Sequence, residues 1–258
     1  MTDAVSTFPT FLKQGWRTLW RDARAGDLSL LLVAVTLAVA ALTAVGFFAD
    51  RLKGGLQRDA RQMLGGDAVL SSDQPTPQVF LAKAVALGLQ TSPSLSFPTM
   101  ARASDAQGGA TKLVALKAVT QGYPLRGKLR VASQLQASDE VTNDIPAPGD
   151  AWVDAPLLDA LGLRLGDNIL LGDTTLRLSR IVVIEPDRGA GFMNFAPRVL
   201  IHQKDVAASG LVQPASRVGY RLAVAGPDAA VTAWVKWAEL ETKKAGTDGL
   251  ATYRGVRV

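Results

Sequence analysis

The chain has 258 residues, 48% of them hydrophobic and 20% charged, which describes a folded protein rather than a disordered one and allows one sizeable or two small domains. Its net charge of +5 comes without a stripe of Arg and Lys interleaved with aromatics, which speaks against nucleic-acid binding. With no cysteine and only one histidine, His202, it lacks a disulfide framework and the usual donors of a zinc site.

The positive excess is densest near the N-terminus. Residues 1–61 hold eight Lys/Arg against five Asp, and residues 62–258 hold twenty against eighteen Asp/Glu. Phe8, Phe11, Leu12, Trp16, Leu19 and Trp20 recur at helical spacing, with Lys13, Arg17, Arg21 and Arg24 mainly on the other side. This pattern predicts an amphipathic helix lying in a membrane interface, with Trp16 and Trp20 at headgroup level and Arg17, Arg21 and Arg24 toward lipid phosphate. Ala25-Gly26-Asp27 permits a bend before the next element.

Leu28–Ala49 is a block of 22 residues without a charge. As a helix it spans roughly 33 Å, against a hydrocarbon core of about 30 Å. Thr36 and Thr43 can bond back to helix carbonyls and do not oppose insertion. A cleaved signal peptide has a shorter apolar region, so the block reads as a retained transmembrane helix. Four basic residues flank it on each side, which leaves its orientation open by charge alone. Residues 50–66 read as a helical stalk, loosened at Gly54 and Gly55 as a hinge and ended by Gly65-Gly66.

From Asp67 the pattern changes to short strands and helices. Asp67–Ser72 alternates as a strand, and Pro77–Leu87 is helical with Thr76 as N-cap. Leu95–Ser104 and Thr111–Thr120 are extended and joined by a Gly-rich turn. Near the other end, Ser216–Ala225 is a strand, Asp228–Lys244 a helix and Leu250–Val258 a strand. The fold class is therefore α+β, in which β-α-β-β and β-α-β halves share one sheet. Residues 121–212 form a β-rich insertion between the halves. Within it Trp152–Leu165 reads as a helix closed by Gly162, and Gly172-Asp173 marks a hairpin between Asn168–Leu171 and Thr175–Ile184. Ala196–His202 is a further strand.

The catalytic inventory is thin. His202 has no nucleophile pattern near it, and no Walker A sequence, nucleophile elbow or dinucleotide fingerprint occurs. The chain reads as a non-catalytic subunit without a cofactor. The stretch from Glu185 to Arg198 offers Glu185 and Asp187 as an acid/base pair, or Phe192, Met193 and Phe195 as an apolar contact surface. Its Pro and Gly content favours a loop with its charges facing water. Residues 123–130, YPLRGKLR, are basic and suit a solvated loop or a contact with lipid headgroups.

Taken together these motifs resemble a known family. WRTLWRDARAGDLSLLLVAVTLAVAALTAVGFFADRL looks like the opening of an FtsX/MacB-type ABC transporter permease. LGGDAVLSS and LDALGLRLGDNILLGDTTLRLSRIVVIEPD resemble its extracytoplasmic, MacB-like core domain. EPDRGAGFMNFAPRVLI and GLVQPASRVGYRL are similar to the YbbP-like branch. The resemblance implies a bacterial inner-membrane location, a cytoplasmic N-terminus and a separate cytoplasmic ABC ATPase as partner. It also implies contact with membrane lipids, and export or extraction of an apolar or lipid-like substrate. Permeases of this kind carry further spans after the core domain, so the chain corresponds to the N-terminal portion of one, or to a reduced subunit that needs other spans or a second copy. A single-span anchored adaptor of an efflux assembly is the rival reading.

Overall fold

The structure, a computed structural model, describes residues 13–18, 20–21, 27–189, 195–213, 216–247 and 253–257. In the leader, residues 13–18, Trp20 and Arg21 are helical, and Trp16, Arg17, Trp20 and Arg21 are exposed, whereas Arg24 lies outside the described residues. Helix α1 runs from Asp27 to Leu64 and passes through Gly54 and Gly55 without a break. Among the described residues it is the one helix long and apolar enough to cross a membrane. Thr36 and Thr43 each donate their hydroxyl to the carbonyl four residues earlier, at 2.7 Å, so neither leaves an unmet polar group on the apolar helix.

The chain divides into two compact units, residues 1–57 and 58–258. The second unit is built on a mixed sheet of eleven strands in the order β11-β1-β10-β2-β3-β9-β6-β8-β4-β5, with β7 paired to β2 and β8. The strands are β1 Ala68–Ser72, β2 Gln90–Ala103, β3 Thr111–Val119, β4 Leu129–Ala132, β5 Glu140–Thr142, β6 Asp150–Asp154, β7 Asn168–Leu171, β8 Thr174–Ile184, β9 Arg198–His202, β10 Gly219–Ala225 and β11 Tyr253–Arg257. The α+β class is as read from the sequence. The β1-α2-β2-β3 half, with α2 at Gln78–Ala86, and the β10-α5-β11 half, with α5 at Asp228–Thr247, interleave in one sheet because β10 inserts between β1 and β2.

Residues 121–212 do not form a separate sheet. The fourteen-residue β2 pairs β10 along its first half, pairs β7 at its end and pairs β3 on its other side. Pairing then runs from β3 to β9, β6, β8 and β7 and returns to β2, which closes a ring of six strands. Strand alternation sends Phe97, Ala101, Leu116, Ala118, Val153, Ile169, Leu176, Leu178, Val199 and Ile201 into one core. Helix α3, Ala155–Leu161, adds Leu157, Leu158 and Leu161 to it, and the short helix α4, Asp205–Ala208, follows β9. A second core lies between the sheet and helices α2 and α5, where Trp234 is fully buried among Leu70, Phe80, Leu222 and Val224 and donates its indole N–H to the Phe80 carbonyl at 3.2 Å.

Two local expectations change. Trp152 belongs to β6 and not to a helix, because its residues ladder between β8 and β9; Pro156 then opens the shorter α3. Helix α2 starts after Pro77 without a side-chain cap from Thr76. Strands β4 and β5 occupy a stretch for which no element was predicted.

Candidate functional site

One face of β3 carries Leu116 and Ala118 into the ring core, so the alternation turns Lys117 to the opposite face. Burying an ammonium in a strand costs several kcal/mol unless anions meet it. Here Lys117 is only 3% exposed and donates to Glu185 Oε1 at 2.9 Å, Asp187 Oδ1 at 2.7 Å and Tyr123 OH at 2.9 Å. Its Nζ also lies 4.4 Å from the centre of the Tyr123 ring. Pro186 follows the end of β8 by two residues, and the turn there aims both Glu185 and Asp187 inward.

Arg198, the first residue of β9, completes the cluster. Its Nε donates to Glu185 Oε2 at 2.6 Å, and its backbone N–H donates to Asp154 Oδ2 at 2.9 Å. Arg188 donates to the same Asp154 oxygen at 2.8 Å. The expectation that Glu185 and Asp187 face water is thus overturned, since both are buried between cations on neighbouring strands. Burial pushes the Glu185 carboxyl up, but the charges and hydrogen bonds of Lys117 and Arg198 outweigh it and hold the group at about 2. Burial, with Asp187 and Glu185 beside it, raises Tyr123 well above the ordinary phenol value. At neutral pH Glu185 stays ionised and Tyr123 stays neutral, so these groups fix charge in place and are poorly suited to proton exchange. Among the described residues no three His, Asp or Glu side chains converge to hold a metal.

The cluster touches the end of α1. The helix closes with Gly65 at φ 69°, a conformation that an L residue rarely adopts. Its last carbonyls would be left unmet by the helix itself. Arg221 on β10 donates to the Leu64 carbonyl at 3.2 Å, and the backbone N–H groups of Leu125 and Arg126 donate to the Gly65 carbonyl at 3.1 and 3.2 Å. Arg221 also reaches Asp187 Oδ2 at 3.4 Å. Arg126 forks onto Asp67, Nε to Oδ1 at 3.0 Å and Nη2 to Oδ2 at 2.7 Å, and the Gly226 N–H donates to Asp67 at 3.0 Å. Arg61, one turn back in the helix, lies 2.9 Å from Asp228 at the start of α5. The basic 123–130 stretch is therefore no free loop, because Tyr123 is buried in the cluster and Arg126 pins the first residue of the sheet domain.

The other sequence-predicted residues lie elsewhere. Gly54 and Gly55 sit within α1, and an added Cβ at either would meet nothing within 4 Å. Phe195 is 85% exposed, whereas Phe192 and Met193 lie outside the described residues. His202 Nδ1 accepts the Lys204 N–H at 3.0 Å. Lys117, Arg198 and Arg221 were missed by sequence reasoning. The available signal was a lysine flanked by apolar residues on both sides within VALKAV, which is costly in a strand unless a counter-charge awaits it.

No protein-family model matches the chain. It is 34% identical over 224 residues to an uncharacterised ABC transporter permease, YbbP, of Escherichia coli (strain K12). That match takes in 86% of this chain and 26% of the relative, so the chain spans about a quarter of that permease's length. The resemblance read from the motifs is borne out by this relative. Among solved structures, the periplasmic region of MacB from Actinobacillus actinomycetemcomitans matches at 10% identity and a TM-score of 0.39, covering 69% of this chain and 86% of that one. A domain described as a permease protein from Porphyromonas gingivalis matches at 9% identity and a TM-score of 0.43, covering 70% of this chain and 84% of that one.

Proposed function

From its kinship with an ABC transporter permease, we propose that this chain supplies the first span and the extracytoplasmic domain of a permease subunit in a bacterial inner membrane. Its N-terminus is cytoplasmic, the leader with Trp16, Arg17, Trp20, Arg21 and Arg24 rests on the lipid interface, and residues 67–258 lie outside. The chain is non-catalytic. A separate cytoplasmic ATPase supplies the energy, and the cargo is an apolar or lipid-like molecule that is exported or extracted from the bilayer.

The observation that supports coupling is the closed end of α1. The carbonyl of its last residue, Leu64, is bonded to Arg221 and that of Gly65 just past it to the Leu125 and Arg126 N–H groups, and Arg221 also contacts the buried anion Asp187. A displacement arriving along residues 58–64 then passes into β10 and the 123–130 loop and is not lost in a slack linker. Gly54 and Gly55 leave the helix softer upstream, since each glycine costs about 1 kcal/mol of helix stability relative to Ala.

The test uses the complete permease containing these residues, reconstituted with its ATPase. Replacing Gly54 and Gly55 together by Ala stiffens the helix without a steric clash and should change the amount of cargo moved per ATP, with hydrolysis retained. An unchanged ratio would remove the hinge from the proposal. A complete permease whose presence neither binds nor stimulates a nucleotide-binding subunit would remove the transporter reading itself.

A further inference from the structure

On the face of the sheet that carries Lys117, a cavity of about 550 Å³ is walled by Ser96, Lys117, Arg188, Arg198, Arg217 and Arg221, with Asp73 and Asp187 as its carboxylates. The cations differ in how far they are committed. Lys117 and Arg198 are buried and held at 2.6–2.9 Å by Glu185 and Asp187, and Arg188 is 2.8 Å from Asp154. Arg221 gives its Nη2 to the Leu64 carbonyl at 3.2 Å, but its Nη1 lies 3.4 Å from both Asp187 Oδ2 and the Asp187 carbonyl, longer than the roughly 2.7–2.9 Å of a close charged pair. Arg217 is exposed and ion-pairs with no carboxylate among the described residues. With the partners behind the wall included, five cations face four carboxylates, Asp73, Asp154, Glu185 and Asp187. The hollow therefore keeps one unneutralised positive charge, and a concave wall concentrates the field of that charge.

We propose that this cavity is an anion site for a singly charged phosphate ester, with Arg217 and Arg221 as its direct ligands and Ser96 as a hydroxyl donor. Two guanidinium forks, one just before β10 and one within it, ask for an anion with acceptors in more than one plane. A tetrahedral phosphate offers that, whereas a carboxylate fills one fork. The volume leaves room for the ester substituents beyond the phosphate, within the range of small-ligand pockets. The same chemistry is offered by a lipid headgroup and by a free phosphate compound. The site stands whether or not the chain takes part in transport.

The full chain in a non-ionic detergent is titrated calorimetrically with inorganic phosphate, with dihexanoyl phosphatidylglycerol below its micelle point, and with acetate. At least one phosphate probe should bind at sub-millimolar concentration and weaken about tenfold in Arg217→Gln, the loss of one charge-assisted contact. Arg217 is exposed, so the variant should melt at the wild-type temperature; Arg217→Lys, which keeps the charge but loses the fork, should fall in between. Binding of the phosphatidylglycerol alone assigns a lipid headgroup, and binding of inorganic phosphate assigns a free anion. Failure of both probes to bind up to about 10 mM would overturn the site. So would acetate binding as tightly, or undiminished binding in Arg217→Gln.

Discussion

Lys117 shows why a charged residue persists inside a sheet. Its ammonium has lost nearly all water, yet all three of its protons point at acceptors, Glu185, Asp187 and Tyr123. Such a pair adds little net stability over an apolar isostere, but removing one partner leaves an unmet buried charge and costs about 3–5 kcal/mol. Lys117→Ala should therefore be severely destabilising. Glu185 gives a sharper test. Its folded value near 2 lies below the ordinary 4.5, so its contribution is fully present above about pH 4.5 and is lost as pH falls toward 2. That shift corresponds to about 3 kcal/mol. Melting of the full chain in detergent should drop steeply across this window, and the Glu185→Gln variant, though less stable throughout, should show a visibly shallower drop. Equal slopes would place the acid sensitivity on other carboxylates.

At the scale of elements, two turns pack closely against the end of the long helix. Gly127 has φ 86°, and a Cβ there would meet Pro186 Cβ at 2.6 Å and the Gln62 carbonyl at 3.1 Å. Gly122 has nearly the same φ, 87°, but its Cβ would meet only Leu125, at 4.0 Å. Gly127→Ala should cost about 3 kcal/mol, from strain plus a clash with backbone and proline, and Gly122→Ala about 1 kcal/mol, from strain alone. Denaturant melts of the two variants compare these costs, and equal losses would show that the 62–127–186 contact contributes nothing. The sequence made the apolar helix, the Gly172-Asp173 hairpin and the split α+β halves legible, because each rests on local periodicity or turn chemistry. The cluster was not legible. Lys117 meets Glu185 across 68 residues and Arg126 meets Asp67 across 59, and no local pattern encodes a partner at that distance. Pro186 and Gly189 correctly mark a loop, but a loop's composition does not say whether its charges turn outward or into the sheet.

For the second unit as a whole, the decisive element is β2. Its first half holds the α2 and α5 layer through β10, and its end closes the ring through β7. A strand that packs into the ring core and is hydrogen-bonded to β10 of the helix-covered half ties their unfolding together. Trp234 reports the helix-covered core and Trp152 reports the packing of Leu129, Val131 and Leu200 on the other face of the sheet. Variants of the full chain that keep only Trp152 or only Trp234 should show the same denaturation midpoint. Midpoints separated by more than the error of the fit would mean that residues 121–212 fold as a body of their own.

The bonds that close the end of α1 also set a length scale. Arg221 sits 3.2 Å from the Leu64 carbonyl, while one residue of helix rise is about 1.5 Å. An axial stroke of a single residue would carry that contact beyond hydrogen-bonding reach, and a turn by one residue, about 100°, would point the carbonyl away from it. The attachment is therefore short-ranged in both pull and twist. It carries small strokes faithfully and gives way above a threshold, as a latch does and a spring does not.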